Sequence, residues 1–198
     1  MKITKKIAAV LLAVSISTST LTYHASAYNL NDAIDYAYTY WNYRCPHYKS
    51  LSSNCANYVS QCLVASGRTM TKEWRNEPSY FTWQLTETFT KCTTQKAYFE
   101  KKKWAFEKGR YYNSKTTPVN YPTTPYIGAG NLIYYDWEGN GSVDHVSFVT
   151  GVEHNSGYPV AVVCQNTSNR YKATWHLYSY MTTAQRQNCI YVVEKVNY

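Results

Sequence analysis

The sequence has no hydrophobic run long enough to cross a bilayer. Its longest mainly apolar stretch, IAAVLLAVSI near the amino terminus, has ten residues, whereas a membrane helix needs about 20. Phenylalanine is scarce at five residues, and 12 acidic residues face 20 basic ones. There is no internal repeat and no low-complexity linker. These absences argue against a membrane-spanning protein, a repeat array and a multidomain chain.

The first 27 residues have the layout of a secretory signal peptide. MKITKK carries three lysines, the apolar stretch follows, and Ala25-Ser26-Ala27 supplies the small residues of a cleavage site. We therefore expect cleavage after Ala27, leaving a soluble, exported protein with one domain over residues 28–198. Loss of three lysines leaves 17 basic and 12 acidic residues. This excess suits anionic polymers such as cell-wall acids, a membrane surface or nucleic acid, without choosing among them.

Aromatic residues are abundant, with 22 tyrosines and six tryptophans. Such side chains can line a groove for sugars or peptides, but they can also fill a core in place of the scarce leucine and phenylalanine. We predict that most of them are core residues. The same prediction applies to most of Trp74, Trp83, Trp137 and Trp175, with a substrate groove as the alternative.

The six cysteines leave a structural and a chemical use open; they are Cys45, Cys55, Cys62, Cys92, Cys164 and Cys189. In an exported protein they could form three disulfides, among fifteen possible pairings. If one is a free nucleophile, at least one other must also be unpaired, which counts against a simple disulfide framework. No two have the C-x2-C spacing of a tetrahedral zinc site. The loop DWEGNGSVD lacks the acidic spacing of a calcium loop. We therefore predict no metal there and a hairpin turn instead.

The order of the predicted elements indicates an α+β domain, with helices first and an antiparallel meander afterwards. Predicted helices cover residues 28–44, with Asn31 as N-cap, then Cys55 to Gly67, with Ser53 or Asn54 as N-cap, and residues 95–106. Predicted strands cover residues 131–135, 145–152, 159–166 and 189–196.

The stretch SSNCANYVSQC places Cys55 at the beginning of a predicted helix. Unpaired N–H groups and the helix dipole favour a thiolate there. Of the five histidines, His145 alone opens a predicted strand at the start of an apolar run. Asn166 ends the neighbouring predicted strand and could accept a hydrogen bond from the His145 ring. From these residues alone a buried cysteine and a structural histidine remain open alternatives.

Three segments resemble a known family. NCANYVSQCLVASG is similar to the cysteine block of the amidase-domain family of secreted bacterial proteins, which is related to the papain-like NlpC-type cell-wall hydrolases. GAGNLIYYDWEGNGSVDHVSFVTG is similar to its histidine block, and YNLNDAIDYAYTYWN to its opening helix. The resemblance extends over the whole predicted mature chain.

The resemblance implies a papain-like (NlpC-type) α+β fold in which Cys55 is the nucleophile, His145 the general base and Asn166 the residue that orients His145. The backbone N–H of Cys55 would contribute to the oxyanion hole. The implied function is a secreted cysteine amidohydrolase that cleaves amide or peptide bonds of peptidoglycan, extracellular and acting at the cell wall. It implies a monomer with no cofactor, no metal and no nucleic-acid partner.

Three positions depart from the family pattern, because Asn54 and Asn131 replace acidic residues and Asn166 replaces a common histidine. These departures leave two alternatives open. One is a catalytically inactive secreted binding or structural module on the same fold. The other is a toxin-like amidase that acts on proteins or small amides. The polar residues Asn57, Ser60 and Gln61 are predicted to tie the cysteine-bearing helix to nearby loops.

Overall fold

The computed structural model describes residues 28–113, 126–155 and 158–197, and the predicted signal peptide lies outside this part. The described chain contains five α-helices: α1 Leu30–Tyr40, α2 Cys55–Ala65, α3 Glu87–Thr90, α4 Cys92–Lys101 and α5 Thr183–Asn188. Its strands are β1 Asn76–Pro78, β2 Trp83–Leu85, β3 Ala105–Tyr112, β4 Leu132–Asp136, β5 His145–Asn155, β6 Tyr158–Gln165, β7 Arg170–Thr174 and β8 Ile190–Val196.

The strands form a two-stranded ribbon, β1–β2, and a six-stranded antiparallel sheet in the order β3-β8-β4-β5-β6-β7. The predicted α+β class is therefore confirmed. The meander prediction holds from β4 to β6, and β7 extends it. The last strand, β8, returns to pair with β4, and the sequence prediction missed β3, β7 and the ribbon.

The sheet has a core on each face because its strands alternate sides at every residue. In β4, Leu132 and Tyr134 pack towards the helices, whereas Ile133 and Tyr135 pack into a second cluster on the opposite face. The prediction that aromatic residues fill the core is confirmed for the largest fully buried side chains, which include Trp74, Trp175, Tyr58, Tyr134, Tyr135 and Tyr191.

Helix α2 is the central helix, and every residue from Cys55 to Leu63 is buried. As predicted, Asn57 donates to a loop carbonyl, that of Lys49 (3.0 Å). Ser60 and Gln61 instead bond to other helices: Ser60 donates to the Phe89 carbonyl of α3 (2.8 Å), and Gln61 accepts from the Tyr36 hydroxyl of α1 (2.7 Å). These bonds fix the position of α2 inside the domain.

Two helix boundaries differ from the sequence prediction. Asn29 rather than Asn31 is the N-cap of α1, since its side chain accepts the Asn31 N–H (3.0 Å). Helix α4 begins three residues earlier than predicted and ends at Lys101, because Lys103 adopts a left-handed conformation (φ 56°) that returns the chain into β3. Gly67 ends α2 as predicted, with φ 104° at the residue after the cap.

No helix in the described part of the chain is long and apolar enough to span a membrane. All six cysteines are buried and none is in a disulfide. The hairpin predicted at DWEGNGSVD is confirmed, because it joins β4 to β5. Within it the Asp136 carboxylate accepts the N–H groups of Gly139, Asn140 and Gly141 at 2.7–3.1 Å, which stabilises the turn.

Candidate active site

Cys55 is the first residue of α2, and it lies against the first residue of another helix. Its thiol sulfur is 3.5 Å from the sulfur of Cys92, which begins α4. Both cysteines are almost fully buried. The neighbour of Cys55 is therefore Cys92. Cys62, about two turns further along α2, lies in the core near Cys164.

The pKa of the Cys55 thiol is lowered well below its usual value. The hydrogen bond from Cys92 is the largest cause, and burial opposes it. A hydrogen bond with His145 and the charge of its ring lower the pKa further. The pKa of Cys92 is raised well above its usual value by the same hydrogen bond and by burial, so Cys92 remains a thiol that donates to the Cys55 thiolate.

Replacing Cys92 with alanine should raise the pKa of Cys55, because the thiolate loses its strongest stabilising hydrogen bond. A hydrogen bond to a charged group contributes about 1.5–3 kcal/mol, so alkylation of Cys55 at pH 6 should slow by roughly tenfold or more. Cys92→Ser retains a donor and serves as the matched control, with a smaller change. If Cys92→Ala and the unsubstituted protein had the same alkylation rates at every pH from 4 to 9, this role for Cys92 would be excluded.

His145 begins β5 and is held by Gln165 at the end of β6. The His145 Nε2 lies 2.9 Å from the Gln165 Oε1, which also accepts from the Ser147 hydroxyl (2.8 Å). The Gln165 amide orientation is fixed, because its Nε2 donates to the Ser168 carbonyl (3.0 Å). An amide oxygen only accepts, so the His145 Nε2 carries the proton and Nδ1 has the free lone pair of the neutral ring.

The structure does not bring Asn166 to His145, which corrects the sequence prediction. The Asn166 Oδ1 accepts from the side chain of Asn54 (2.8 Å), and its Nδ2 donates to the carbonyls of Tyr40, Trp41 and Tyr43 at 3.0–3.3 Å. Asn166 therefore fastens the end of α1 to the beginning of α2. The residue placed to orient His145 is Gln165.

Asn54 occupies the N-cap position of α2 without capping the helix through its side chain. Its Oδ1 accepts from Asn57 (2.7 Å) and from the Leu51 N–H (3.3 Å), and its backbone N–H donates to the Thr167 hydroxyl (2.6 Å). The prediction of a side-chain cap at Asn54 is thus corrected. The helix N–H groups near Cys55 are left for another acceptor.

Trp137 covers the other side of His145. Its ring stacks on the imidazole, with centroids 5.7 Å apart and 22° between the planes, and on Tyr135 at 4.8 Å. His145 and Trp137 line a cavity of about 360 Å³ together with Gln165 and Arg170. Trp137 is therefore a groove residue rather than a core residue, unlike Trp74 and Trp175.

Among the described residues, the carboxylates of Glu100, Glu107 and Glu194 lie close enough together to hold a metal ion. The Lys96 ammonium is 2.7 Å from Glu100, 3.0 Å from Glu194 and 4.0 Å from Glu107. Lys96, together with Arg110 beside Glu107 (2.7 Å), makes this cluster an ion-pair network. Burial raises the pKa of Glu194 to about 7, which reduces its negative charge near neutral pH.

The sequence reasoning missed Cys92, Gln165 and Arg170. The alternation of side chains along a strand could have identified Gln165. Cys164 and Val146 face the helices, so the residues next to them, Gln165 and His145, face the opposite side of the sheet. Asn166 lies one residue beyond the end of β6. No local pattern pointed to Cys92, because its contact with Cys55 joins residues 37 positions apart.

Comparison with known proteins identifies the family of the chain. A family model described as "Putative amidase domain" matches residues 27–191. "Uncharacterized protein YhbB" of Bacillus subtilis (strain 168) is 29% identical over 133 residues, which cover 63% of this chain and 38% of that protein. The chain thus spans well under half the length of this relative. No solved structure matches the chain. The family match covers most of the chain and includes both Cys55 and His145. The chain therefore belongs to the amidase-domain family, whose description indicates amide hydrolysis.

Proposed function

We propose that this protein is an exported cysteine amidohydrolase that cleaves amide or peptide bonds of bacterial peptidoglycan, on a papain-like fold of the NlpC type. The observation that carries the proposal is the Cys55 thiol at the start of α2, with its pKa lowered by Cys92 and by the His145 ring. A thiolate beside an imidazole is the arrangement that nucleophilic acyl transfer requires. The family description supports amide bonds as the target.

In the proposed mechanism the His145 Nδ1 takes the proton of Cys55, and the sulfur attacks the amide carbonyl. The oxygen of the tetrahedral intermediate accepts from the backbone N–H of Cys55, where one lost donor can cost about 3 kcal/mol. His145 then protonates the leaving amine, and a thioester remains on Cys55. Water, deprotonated by His145, hydrolyses the thioester. Gln165 keeps the ring orientation through both steps.

No metal or organic cofactor takes part in these steps, and a nucleic-acid partner is not expected. The basic excess of the predicted mature chain supports an anionic wall polymer as the substrate. Monomeric state, export and action at the cell wall are parts of the same proposal. Asn54, Asn131 and Asn166 replace groups that are common in the family, so the rate is expected to depend on the bond between Asn54 and Asn166 (2.8 Å) and on the bond from Asn131 to the Tyr126 carbonyl (2.7 Å).

Incubation of purified sacculi with residues 28–198 tests the proposal. We expect new amino termini, measured by amine labelling of the released fragments, and mass spectrometry of the fragments identifies the cleaved bond. Sacculi that yield no new amines would contradict a wall substrate. Cleavage of proteins or small amides without cleavage of sacculi would instead support the toxin-like alternative.

A binding or structural module is the second candidate, and the contact between Cys55 and Cys92 is the observation that favours it. Cys55 is only 3% exposed, and a sulfur lies 3.5 Å from its own. Oxidation of this pair would remove the nucleophile from the site. Isolation of the exported protein with these two cysteines disulfide-bonded and resistant to mild reductant would favour the module over the enzyme.

A further inference from the structure

The turn between β6 and β7 has a strained backbone. Thr167 and Ser168 adopt left-handed conformations, with φ of 77° and 50°, although neither is glycine. Residues in such conformations cost on the order of 1 kcal/mol or more, and they cluster at functional sites. The strain directs the Ser168 carbonyl towards two side chains: it accepts from Gln165 (3.0 Å) and from the Arg170 Nη1 (2.7 Å). One carbonyl thus positions both the partner of His145 and a cation.

The Arg170 guanidinium has no acidic partner in the described part of the chain. It stacks over the ring of Tyr180, with its central carbon 4.2 Å from the ring centroid. Its Nε is buried and lacks a hydrogen-bond partner among the described residues. Burial lowers the pKa of Arg170, but a guanidinium remains charged at any physiological pH. A half-buried guanidinium with a buried, unpaired Nε and no carboxylate partner is a costly arrangement unless a ligand completes it.

Arg170 lies on the same face of the sheet as Gln165, and it lines the same cavity as His145. It pairs with Gln165 across β6 and β7, so their side chains are direct cross-strand neighbours. Gln165 bonds to His145, and all three line the cavity of about 360 Å³. No acidic side chain lines this cavity among the described residues. Among its described lining residues, the formal positive charge is that of Arg170, apart from a protonated His145.

The neighbouring cavity has the opposite charge. It is also lined by Trp137, together with the acidic residues Glu138 and Asp144. A substrate group with a negative charge is therefore repelled from that side and attracted to the side of Arg170. The two cavities share Trp137 and Gln185. A substrate that occupies both cavities is therefore oriented with its negatively charged group beside Arg170 and away from Glu138 and Asp144.

We propose that the cavity beside His145 binds a carboxylate of the substrate through the Arg170 guanidinium, so that the enzyme selects amides and peptides with a free carboxylate close to the cleaved bond. The inference rests on the proposed function and specifies its substrate class. A carboxylate matches the planar fork of arginine by two parallel hydrogen bonds, a geometry that an ammonium group does not offer. Arg170 is a specificity-determining residue and takes no part in proton transfer.

Binding to the Cys55→Ser protein tests the proposal without turnover. The probes are soluble wall peptides released from sacculi by a muramidase, and the same pool after carbodiimide coupling to methylamine, which converts carboxylates into neutral amides. We expect the immobilised Cys55→Ser chain to retain the untreated pool at least tenfold better than the methylamidated pool. The added substitution Arg170→Met should abolish this preference, and Arg170→Lys should leave part of it.

Lys172→Gln is the matched control, because this cation lies on the same strand but pairs with Glu153 (2.9 Å) and does not line the cavity. When Lys172→Gln is added to Cys55→Ser, the ratio of untreated to methylamidated peptides retained should equal that of Cys55→Ser alone. Equal retention of the two pools, retention of neither, or a preference that survives Arg170→Met would overturn the proposal. Selective retention by Cys55→Ser combined with no cleavage by the unmodified protein would instead refute the amidase function and leave carboxylate recognition intact.

Discussion

Cys55→Ser should lower the rate of amide hydrolysis by about 10⁴-fold or more while leaving the fold intact. A serine hydroxyl beside a single imidazole lacks the thiolate that this site stabilises, and loss of a nucleophile removes the covalent route altogether. The sulfur accepts a hydrogen bond from Cys92 and is almost completely buried, so a hydroxyl of similar shape fits the same space. The measurements are release of new amines from sacculi and the circular dichroism spectrum of the variant.

Cys62→Ala is the control for Cys55→Ser, because Cys62 is a buried thiol on the same helix. Burial raises its pKa well above the usual value, so it carries no thiolate. This variant should keep the hydrolysis rate within about twofold and lose on the order of 1 kcal/mol of unfolding free energy. Full activity in Cys55→Ser would exclude the covalent mechanism. Equal loss in both variants would point to damage of α2 rather than to chemistry.

His145→Asn should reduce kcat/KM by about 10³-fold, because it removes the group that accepts and returns the proton. It should also raise the pKa of Cys55, since the His145 ring contributes a hydrogen bond and a charge to the thiolate. With a higher pKa, less of the Cys55 side chain is thiolate at neutral pH. Alkylation of Cys55 therefore requires a higher pH in this variant. The pH profile of alkylation separates this effect from a merely structural one.

His176→Asn is the matched control for His145→Asn. His176 is also buried, and burial lowers its pKa to about 4, so it is neutral near pH 7. Its Nδ1 accepts the Tyr178 N–H (3.1 Å), a bond that an asparagine oxygen can replace. We expect nearly unchanged hydrolysis and an unchanged alkylation profile. An equal loss of activity in the two variants would remove the argument for His145 as the base.

The elements with clear local patterns were predicted well from the sequence. The apolar runs of β4, β5, β6 and β8 and the apolar stripe of α2 produced predicted strands and a helix within a few residues of their observed bounds. Short or polar elements were missed, because β3 and β7 carry mostly exposed or half-buried side chains and are strands only through pairing with β8 and β6. Such pairing has no local signal.

The sequence by itself determined the α+β class, the position of Cys55 at a helix start and the position of His145 at a strand start, because each follows from local periodicity and helix signals. Only the tertiary structure decided which groups meet at these two residues. It placed Cys92 beside the sulfur, Gln165 instead of Asn166 on the imidazole, and Arg170 in the adjoining cavity. The physical reason is that each contact depends on strand register, side-chain parity and helix packing, which join residues far apart in the chain.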